Sequence, residues 1–361
     1  MSEVTCFSKI KQIGYHMPKK VQGTFGIEIE TETKRASDYP EGFFSEDPGT
    51  GRFNVPMPEW EGHVDNSLRN YGMEFVLRKP LSFDAALKAL DSFRKGTEGI
   101  PFLKNVPSTS VHVHTNMLNE RPSTMANFLA LYTLFENVLV DYSGESRRSN
   151  LFALPMRVAE ATVDNIRDVL QMFQHENHTL FNPSPHKLKY AALNLAPLVT
   201  FGSLELRSFR GETDVEEIKD WLRIINNILE YARTPGLTPR IVLFEYKMRG
   251  VSYFDEVFKD MSDKVRSKVN DISELIDRNL WYLFRIATAM DDWEALDRMK
   301  ESTKDKPVEP NSGNSGFSGL QSLPPDSVLI NIAAELNQQA VDLADADDLD
   351  EIEDDDYDEL D

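Results

Sequence analysis

Several segments of the chain alternate apolar and polar residues with the period of two that is typical of β-strands. The alternation is clearest in four segments, residues 24–31, 72–78, 110–116 and 203–209. Residues 189–195 precede the last of these and are a candidate partner strand for it. The pattern therefore predicts a sheet with at least four strands.

Between these segments, apolar residues recur at the three-to-four spacing of amphipathic helices. Helices are predicted over residues 83–95 after Ser82, over 124–141 and over 214–233, and residues 240–298 are mostly helical in pattern. Thr213 and Glu216 have the spacing of a capping box at the start of the third helix. Strands mixed with long helices, with few hairpin turns, predict an α+β fold: an antiparallel or mixed sheet with helices on one face.

The C-terminal end has a different composition. Residues 342–361 contain 13 acidic and no basic residues, so removing them changes the formal net charge from −21 to −8. Such a block repels itself and is expected to be disordered. We predict a folded body over 1–303, with a motif core at 20–235 and a helical extension at 236–303. A linker at 304–325, a short helix at 326–344 and an acidic tail at 345–361 follow.

Composition excludes several classes of protein. With 39 basic against 60 acidic residues, the chain lacks the positive field that sequence-independent nucleic-acid or anionic-lipid binding requires. Cys6 is the single cysteine, which excludes an internal disulfide framework and a CxxC site. The first residues have no apolar signal region, and the longest charge-free helical stretch, 122–135, is too short to cross a bilayer. We expect a soluble, cytoplasmic protein.

The predicted strands carry ionisable side chains in a selected set. Alternation puts each pair on one face of its strand: Glu28 with Glu30, His112 with His114, and Glu205 with Arg207. Glu74 lies within the apolar second strand. One solvated sheet face is the simple interpretation. If instead these strands share one sheet, the glutamates would repel one another unless they took up protons or held cations.

Hard divalent cations, Mg²⁺ or Mn²⁺, fit such oxygen-rich groups best, and histidine tilts the choice toward Mn²⁺ or binds a phosphate instead. A site of this kind suits phosphoryl transfer. Walker A, GxGxxG, GxSxG and HExxH motifs are absent. The run from His175 to His178 could hold a metal, although a polar helix end is the simpler interpretation. Asp65, close to His63, is a candidate for the site or for an Asx turn.

These residues also give the chain a resemblance to the amidoligase family, which belongs with glutamine synthetase and the γ-glutamylcysteine ligases to the carboxylate–amine ligase superfamily. The matching motifs follow the family's order: Gly26-Ile27-Glu28-Ile29-Glu30, Asp65-Asn66-Ser67, Gly72-Met73-Glu74, His112-Val113-His114, an arginine at 147 or 148, Tyr190 to Asn194, Glu205-Leu206-Arg207, Phe209-Arg210-Gly211, Thr213-Asp214 and a helix with Trp221. They span about residues 20–235. Arg78-Lys79-Pro80 replaces the usual Ser-Pro, and Ser108-Thr109-Ser110 replaces the usual Gly.

The resemblance implies a curved, mainly antiparallel sheet like the glutamine synthetase catalytic domain. Its concave face would hold ATP and two or three Mg²⁺ or Mn²⁺ ions, with helices on the other face. The metal ligands that it implies are Glu28, Glu30, Glu74, His112 and Glu205. Glu74 could instead face the amine.

The same resemblance implies that His114 contacts the nucleotide phosphates and that Arg207 holds the transferring γ-phosphate. Arg210 or Arg147 would hold a phosphate or the substrate carboxylate. Asp65 and Asn194 would make secondary polar contacts.

The function that the resemblance implies is an ATP-dependent ligation of a carboxylate and an amine through an acyl phosphate. The region after residue 236 could form a lid that excludes water. The amine could be an amino acid, a polyamine or a protein lysine. A metal-dependent phosphohydrolase or nuclease is an alternative function. A non-catalytic protein that binds a basic partner through its acidic tail is a third.

Overall fold

A computed structural model describes residues 4–15, 21–47, 51–65, 67–104, 106–148, 150–151, 153–159, 161–181, 190–299, 332 and 335. The chain divides into two units, Met1–Glu309 and Pro310–Asp361. In the second unit only Ile332 and Glu335 are described, and both are helical. The predicted linker and acidic tail therefore lie outside the described residues, as does most of the predicted helix over 326–344.

The described residues of the first unit form an eight-stranded antiparallel sheet that does not close into a barrel, with helices packed against it. This confirms the α+β class. The strands follow the order β2-β3-β4-β5-β1-β6-β8-β7. Their bounds are β1 Phe25–Thr33, β2 Ser45–Asp47, β3 Arg52–Asn54, β4 Trp60–His63, β5 Tyr71–Leu77, β6 Ser110–Asn116, β7 Leu193–Asn194 and β8 Ser203–Arg210.

The helices connect and cover these strands. Their bounds are α1 Cys6–Ile13, α2 Phe83–Gly96, α3 Pro122–Tyr142, α4 Glu145–Arg148, α5 Ala161–His175, α6 Val215–Ala232, α7 Pro239–Arg249, α8 Val251–Phe258, α9 Ser262–Arg266, α10 Ile272–Asp277 and α11 Leu280–Ala287. None of the described helices is both long enough and apolar enough to cross a membrane.

The hydrophobic core lies between one face of the sheet and the helices. Ile27 and Ile29 of β1 are fully buried on this face, as are Val111 and Val113 of β6. Helix α3 is buried around almost its whole circumference. It packs against β8 and α6, while α2 packs against β1 and α6. The alternation of the strands therefore separates an apolar, helix-covered face from a polar face.

One local expectation was wrong, and another was confirmed only in part. The side chain that caps α6 is Asp214, which accepts a hydrogen bond from the Glu216 amide at 3.0 Å. Thr213 lies one residue too early, and its amide donates to Glu212 instead. Only Leu193–Asn194 of the expected 189–195 strand pairs with β8, and Lys189 lies outside the described residues.

The helical region after residue 236 packs into the helical layer. Helices α7 and α11 contact α3, and α11 also contacts α5. The side chain of Asn279 reaches the Leu134 carbonyl of α3 at 3.4 Å. These contacts belong to the core, so they give no support to the expectation that this region is a lid.

Candidate functional site

Three neighbouring strands place carboxylates beside imidazoles. Strand β1 lies between β5 and β6, with Glu28 opposite His112 and Glu30 opposite Glu74. Residues opposite each other in an antiparallel pair project to the same face of the sheet. His114 follows His112 by two residues and shares that face. The polar face of the sheet therefore carries all five of these side chains.

Strand β8 brings two further predicted residues to this face. Glu205 lies opposite His114 on β6 and opposite Asn194 on β7. The Asn194 side-chain amide donates to Glu205 Oε2 at 2.6 Å. Arg207 forms an ion pair with the other oxygen, Oε1. Glu205 is thus buried, held from two sides, and directed toward the histidines.

An extra residue in β8 decides which way its last side chains point. Val113 lies opposite Leu206, but Val111 lies opposite Phe209, so β8 has one residue more than β6 between these pairs. This is a β-bulge. Strict alternation would turn Phe209 to the polar face; the bulge instead buries it in the core and returns Arg210 to the polar face.

The imidazole of His112 is at the centre of the cluster. Its Nδ1 lies 3.1 Å from Glu28 Oε2 and 3.5 Å from Glu205 Oε1. Its Nε2 lies 2.7 Å from the hydroxyl of Ser110, which also donates to Glu30 Oε2 at 2.6 Å. Ser110 therefore links a ring nitrogen to a second carboxylate.

The second histidine is held differently. His114 Nδ1 lies 3.1 Å from the hydroxyl of Ser203. Its Nε2 is buried, 3.1 Å from Glu28 Oε1 and 4.0 Å from Glu205 Oε1, and forms no hydrogen bond with the described residues. This nitrogen thus faces two carboxylates without a good hydrogen bond to either.

Three groups of side chains in the described structure have ligand atoms that all lie within 4.8 Å of one another. The groups overlap, because Glu28 and Glu74 each belong to two of them. They are Glu28-His114-Glu205, Glu28-Glu74-His112 and Glu30-Asp65-Glu74. Carboxylate oxygens and imidazole nitrogens within this distance could hold divalent cations.

The surrounding charges shift the pKa values of two carboxylates, Glu74 and Glu28, in opposite directions. Burial and then the charges of Glu28, Glu30 and Asp65 raise the pKa of Glu74 to about 9. Burial also acts to raise the pKa of Glu28, but His114 and His112 outweigh it and hold that pKa well below its ordinary value. Glu74 is therefore protonated at neutral pH, whereas Glu28 is ionised.

Burial and neighbouring charges also act in opposite directions on the pKa values of Glu205 and His114. Burial acts to raise the pKa of Glu205, but Arg207 and the histidines lower it. Burial acts to lower the pKa of His114, yet Glu28 and Glu205 raise it. His114 and Arg207 thus oppose the charges of Glu28 and Glu205, while Glu74 keeps its proton.

Residues 102–229 match a family model described as "Putative amidoligase enzyme". This stretch is similar to the sequences of that family. The match confirms the predicted resemblance and covers β6, β7 and β8, which carry His112, His114, Asn194, Glu205 and Arg207. Glu28, Glu30 and Glu74 lie before the matched residues, and the sheet brings them next to the matched segment. No curated protein matches the chain.

Within the matched segment, the arginine at 147 is buried. Arg147 donates through Nη2 to the Arg207 carbonyl at 2.6 Å and through Nε to the Ser208 carbonyl at 3.2 Å. Burial lowers its pKa to about 10. Arg148 is more than half exposed and pairs with Asp141 at 2.5 Å. Arg147 therefore contacts the bulge of β8, and Arg148 is at the surface.

Arg210 is already engaged by acidic partners. Its Nη2 lies 2.9 Å from Glu212 Oε2 and 3.2 Å from Glu217 Oε2. The guanidinium also lies 5.0 Å from the centre of the Phe209 ring. A phosphate or carboxylate would have to share Arg210 with these two glutamates.

Sequence reasoning missed one buried carboxylate of the site. Glu32 is the next polar-face residue of β1 after Glu30, and it is completely buried. It accepts hydrogen bonds from the Arg69 amide, the Asn70 side chain and the Ser108 hydroxyl, at 2.7–2.8 Å. The continuing alternation of Glu28, Glu30 and Glu32 was the available signal.

The sequence left two interpretations open for Asp65, an Asx turn or a place in the site. The loop before β5 forms an Asx turn in which Asp65 accepts hydrogen bonds from the amide and hydroxyl of Ser67 at 2.7 and 2.8 Å. It also belongs to the donor group with Glu30 and Glu74. His63 instead faces Glu61 at 3.0 Å.

Two other histidine candidates lie at the end of α5. His175 is its last residue, and His178 begins a short 3₁₀ turn. Neither belongs to a donor group within the described part of the chain. The helix-end interpretation fits this placement. His16 and His186 lie outside the described residues.

Proposed function

We propose that this protein is an ATP-dependent carbon–nitrogen ligase that joins a carboxylate to an amine through an acyl phosphate. The observation that carries the proposal is the overlap of three donor groups through Glu28 and Glu74 on one sheet face, beside Arg207. The family match over residues 102–229 supports it. We further propose that the sheet is of the glutamine synthetase type, with its polar face concave.

The donor set fits divalent cations. We assign Glu28, Glu30, Glu74, His112 and Glu205 as ligands of Mg²⁺ or Mn²⁺, whose hard acid character suits carboxylates. The cations would neutralise the phosphates of the nucleotide. Two features of the chain fit a charged ligand here: four of the five ligands are more than three-quarters buried, and Nε2 of His114 lacks a hydrogen bond in the described structure.

The phosphate side is assigned to His114 and Arg207. Nε of Arg207 is buried and forms no hydrogen bond with the described residues, while Nη1 pairs with Glu205. The guanidinium thus keeps donors for the γ-phosphate in a position that Glu205 fixes. Asn194 orients Glu205, and Arg147 holds the backbone of Arg207. These contacts are preorganised, which is the main protein contribution to phosphoryl transfer.

In the proposed reaction, an oxygen of the substrate carboxylate attacks the γ-phosphorus of ATP, and ADP leaves. The amine nitrogen then attacks the acyl carbon, the C–O bond to phosphate breaks, and the nitrogen loses a proton. Holding both reactants in one site supplies much of the rate, because effective molarities reach about 10⁵ M or more. Arg207 and Glu74, with Arg210 if its glutamates release it, are the residues that we place against the reacting groups.

The test is ADP release by the full chain with ATP, Mg²⁺ and a panel of acids and amines, with mass spectrometry for the dehydrated adduct. ADP release should require both an acid and an amine. Glu28→Gln and Arg207→Ala should abolish it, while Glu294→Gln, at a surface glutamate, should not. Intact turnover in Glu28→Gln or Arg207→Ala would overturn the assignment. Phosphoester hydrolysis without an amine would favour a metal-dependent phosphohydrolase.

A further inference from the structure

A cavity of about 410 Å³ opens beside the proposed cation ligands Glu28, Glu30, Glu74, His112 and Glu205, which we call the cation cluster. Glu30 forms one side, and Lys104, Thr109, Gly211 and Asp214 are among the other lining residues. The strand register explains its position: Ser110 lies opposite Arg210, so Thr109 and Gly211 extend beyond the sheet's last pair. The cavity therefore continues the polar face from Glu30 toward the start of α6.

The end of the cavity is closely packed. A Cβ atom on Gly211 would lie 1.8 Å from Thr109 Oγ1 and 2.9 Å from the Thr109 carbonyl carbon. Only glycine allows this approach. The segment that enters β6 and the segment that leaves β8 are therefore in close contact, and this contact forms one wall of the cavity.

The charges that line the cavity are unequally compensated. Glu30 is 6% exposed; its Oε2 accepts from Ser110, but its Oε1 forms no hydrogen bond with described residues, with Nε2 of His112 3.9 Å away. Asp214 uses Oδ1 to cap α6. Glu212 is different, because Arg210 and two backbone amides satisfy it.

Lys104 is thus the single basic residue of the lining, against Asp214 and against Glu30, which the cavity shares with the proposed cation ligands. Threonines and Leu103 complete the lining, so the surface is mostly polar. A lining of this kind disfavours an apolar or anionic ligand and favours a small cation that donates several hydrogen bonds. The volume is at the lower end of the range for small-molecule pockets, which is about 300–1,000 Å³.

We propose that this cavity binds the amine substrate, and that this substrate is a small, positively charged primary amine. The role as acceptor site rests on the proposed ligase function. The ammonium group would contact Glu30 and Asp214 at the boundary with the cation cluster. A phosphorylated acid held by Arg207 and a neighbouring amine would then lie on one continuous polar face.

Ligand-observed NMR on the full chain tests the binding directly, with excess Mg²⁺ and no ATP. The probe is 1,4-diaminobutane, and 1,4-butanediol is its uncharged counterpart. Saturable binding of the diamine and none of the diol is expected. Asp214→Asn keeps a capping residue and should weaken diamine binding about twofold to fivefold, the size of one exposed ion pair.

Asp292→Asn is the matched control, since Asp292 also caps a helical turn but does not line this cavity. It should leave the affinity unchanged. Equal binding to wild type and Asp214→Asn would overturn the inference, as would loss of binding when Mg²⁺ is added, because the diamine would then occupy the cation cluster. No binding would overturn it while leaving the ligase proposal standing. Binding without amine-dependent ADP release would overturn the acceptor role.

Discussion

Arg147 holds Arg207 by its backbone: its Nη2 donates to the Arg207 carbonyl at 2.6 Å, and its Nε donates to the next carbonyl at 3.2 Å. Both carbonyls belong to the bulge of β8. A residue that the family resemblance offered, with Arg210, as a partner of a phosphate or the substrate carboxylate thus fixes the strand that carries Arg207 and Arg210.

Arg147→Met should destabilise the protein and lower ligase turnover together. It leaves carbonyls of the bulge without donors, at a cost of about 1–3 kcal/mol for each buried unsatisfied group. Chemical denaturation measures the loss. Arg148→Met is the matched control: its exposed pair with Asp141 predicts a change of less than about 1 kcal/mol. Equal stability of the two variants would show that the hydrogen bonds of Arg147 to the bulge do not stabilise the protein.

Cation binding should release protons at neutral pH. Because the pKa of Glu74 is raised to about 9, this side chain carries a proton at pH 7 that a ligated cation must displace. Apparent Mn²⁺ affinity should therefore rise with pH up to about 9, by at most about tenfold per unit for one proton. The raised pKa of His114 would add to this release.

Isothermal titration calorimetry in buffers of different ionisation enthalpy counts these protons. Glu74→Gln removes the titrating group and should release about one proton fewer than wild type. Glu98→Gln, at an exposed turn, should release the wild-type number. Identical proton release by Glu74→Gln and wild type would show that Glu74 is ionised before the cation binds.

The alternation of the strands was enough to predict which side chains share the polar face. Glu28, Glu30 and the two histidines follow a period of two, and pairing of the strands did the rest. The bulge had no such signal, because an extra residue becomes visible only when the partner strand is known. The strands β2, β3 and β4 have only three or four residues each, too few for a period to show.

Long-range contacts explain the other differences. Arg147 meets the carbonyl of Arg207 across 60 positions of the chain, and a hydrogen bond to backbone leaves no trace in the type of its acceptor residue. The cap of α6 differs for a local reason. Both Thr213 and Asp214 are good capping residues, and the sequence alone did not decide which of them the helix would follow.

Glu32 should affect cation binding without being a ligand. It ties Arg69 and Asn70, which end the loop that carries Asp65, to the buried end of β1. Glu32→Ala should therefore weaken Mn²⁺ binding, and losses of about tenfold or more are usual when a supporting partner is removed. Electron paramagnetic resonance of free Mn²⁺ measures this.

Glu46→Ala is the comparison for that variant, since Glu46 is an exposed glutamate on β2. It should bind Mn²⁺ like wild type. Circular dichroism should show both variants folded, so that the difference reports the loop. Wild-type affinity in folded Glu32→Ala would contradict a positioning role for Glu32.

A buried carboxyl on helix α3 should make stability depend on pH. Glu136 of α3 is buried, accepts one hydrogen bond from the Met156 amide at 2.7 Å, and has its pKa raised to about 8 by burial. Its folded-state pKa exceeds the ordinary value of 4.5. The stability that its neutral form contributes is therefore complete below about pH 4.5 and lost progressively as the pH rises toward 8.

Glu136→Gln imitates the protonated acid at every pH. Its melting temperature should exceed that of wild type at pH 8, by roughly 2–4 °C for each kcal/mol, with the difference vanishing near pH 5. Differential scanning calorimetry at the two pH values measures this. Glu294→Gln, at a surface glutamate, should show no such divergence. A gap of the same size at both pH values would mean that Glu136 does not titrate in this range.

The additional residue in β8 makes the strand's length unequally tolerant of change. Loss of Ser208 would leave Phe209 under the helices and Arg210 facing outward, since regular pairing gives both the orientation they already have. Gain of one more position there would also restore the alternation, but it would shift Phe209 and Arg210 two positions along β6, away from their partners Val111 and Ser110. Natural variants of this chain should therefore show deletions at this point, and not insertions.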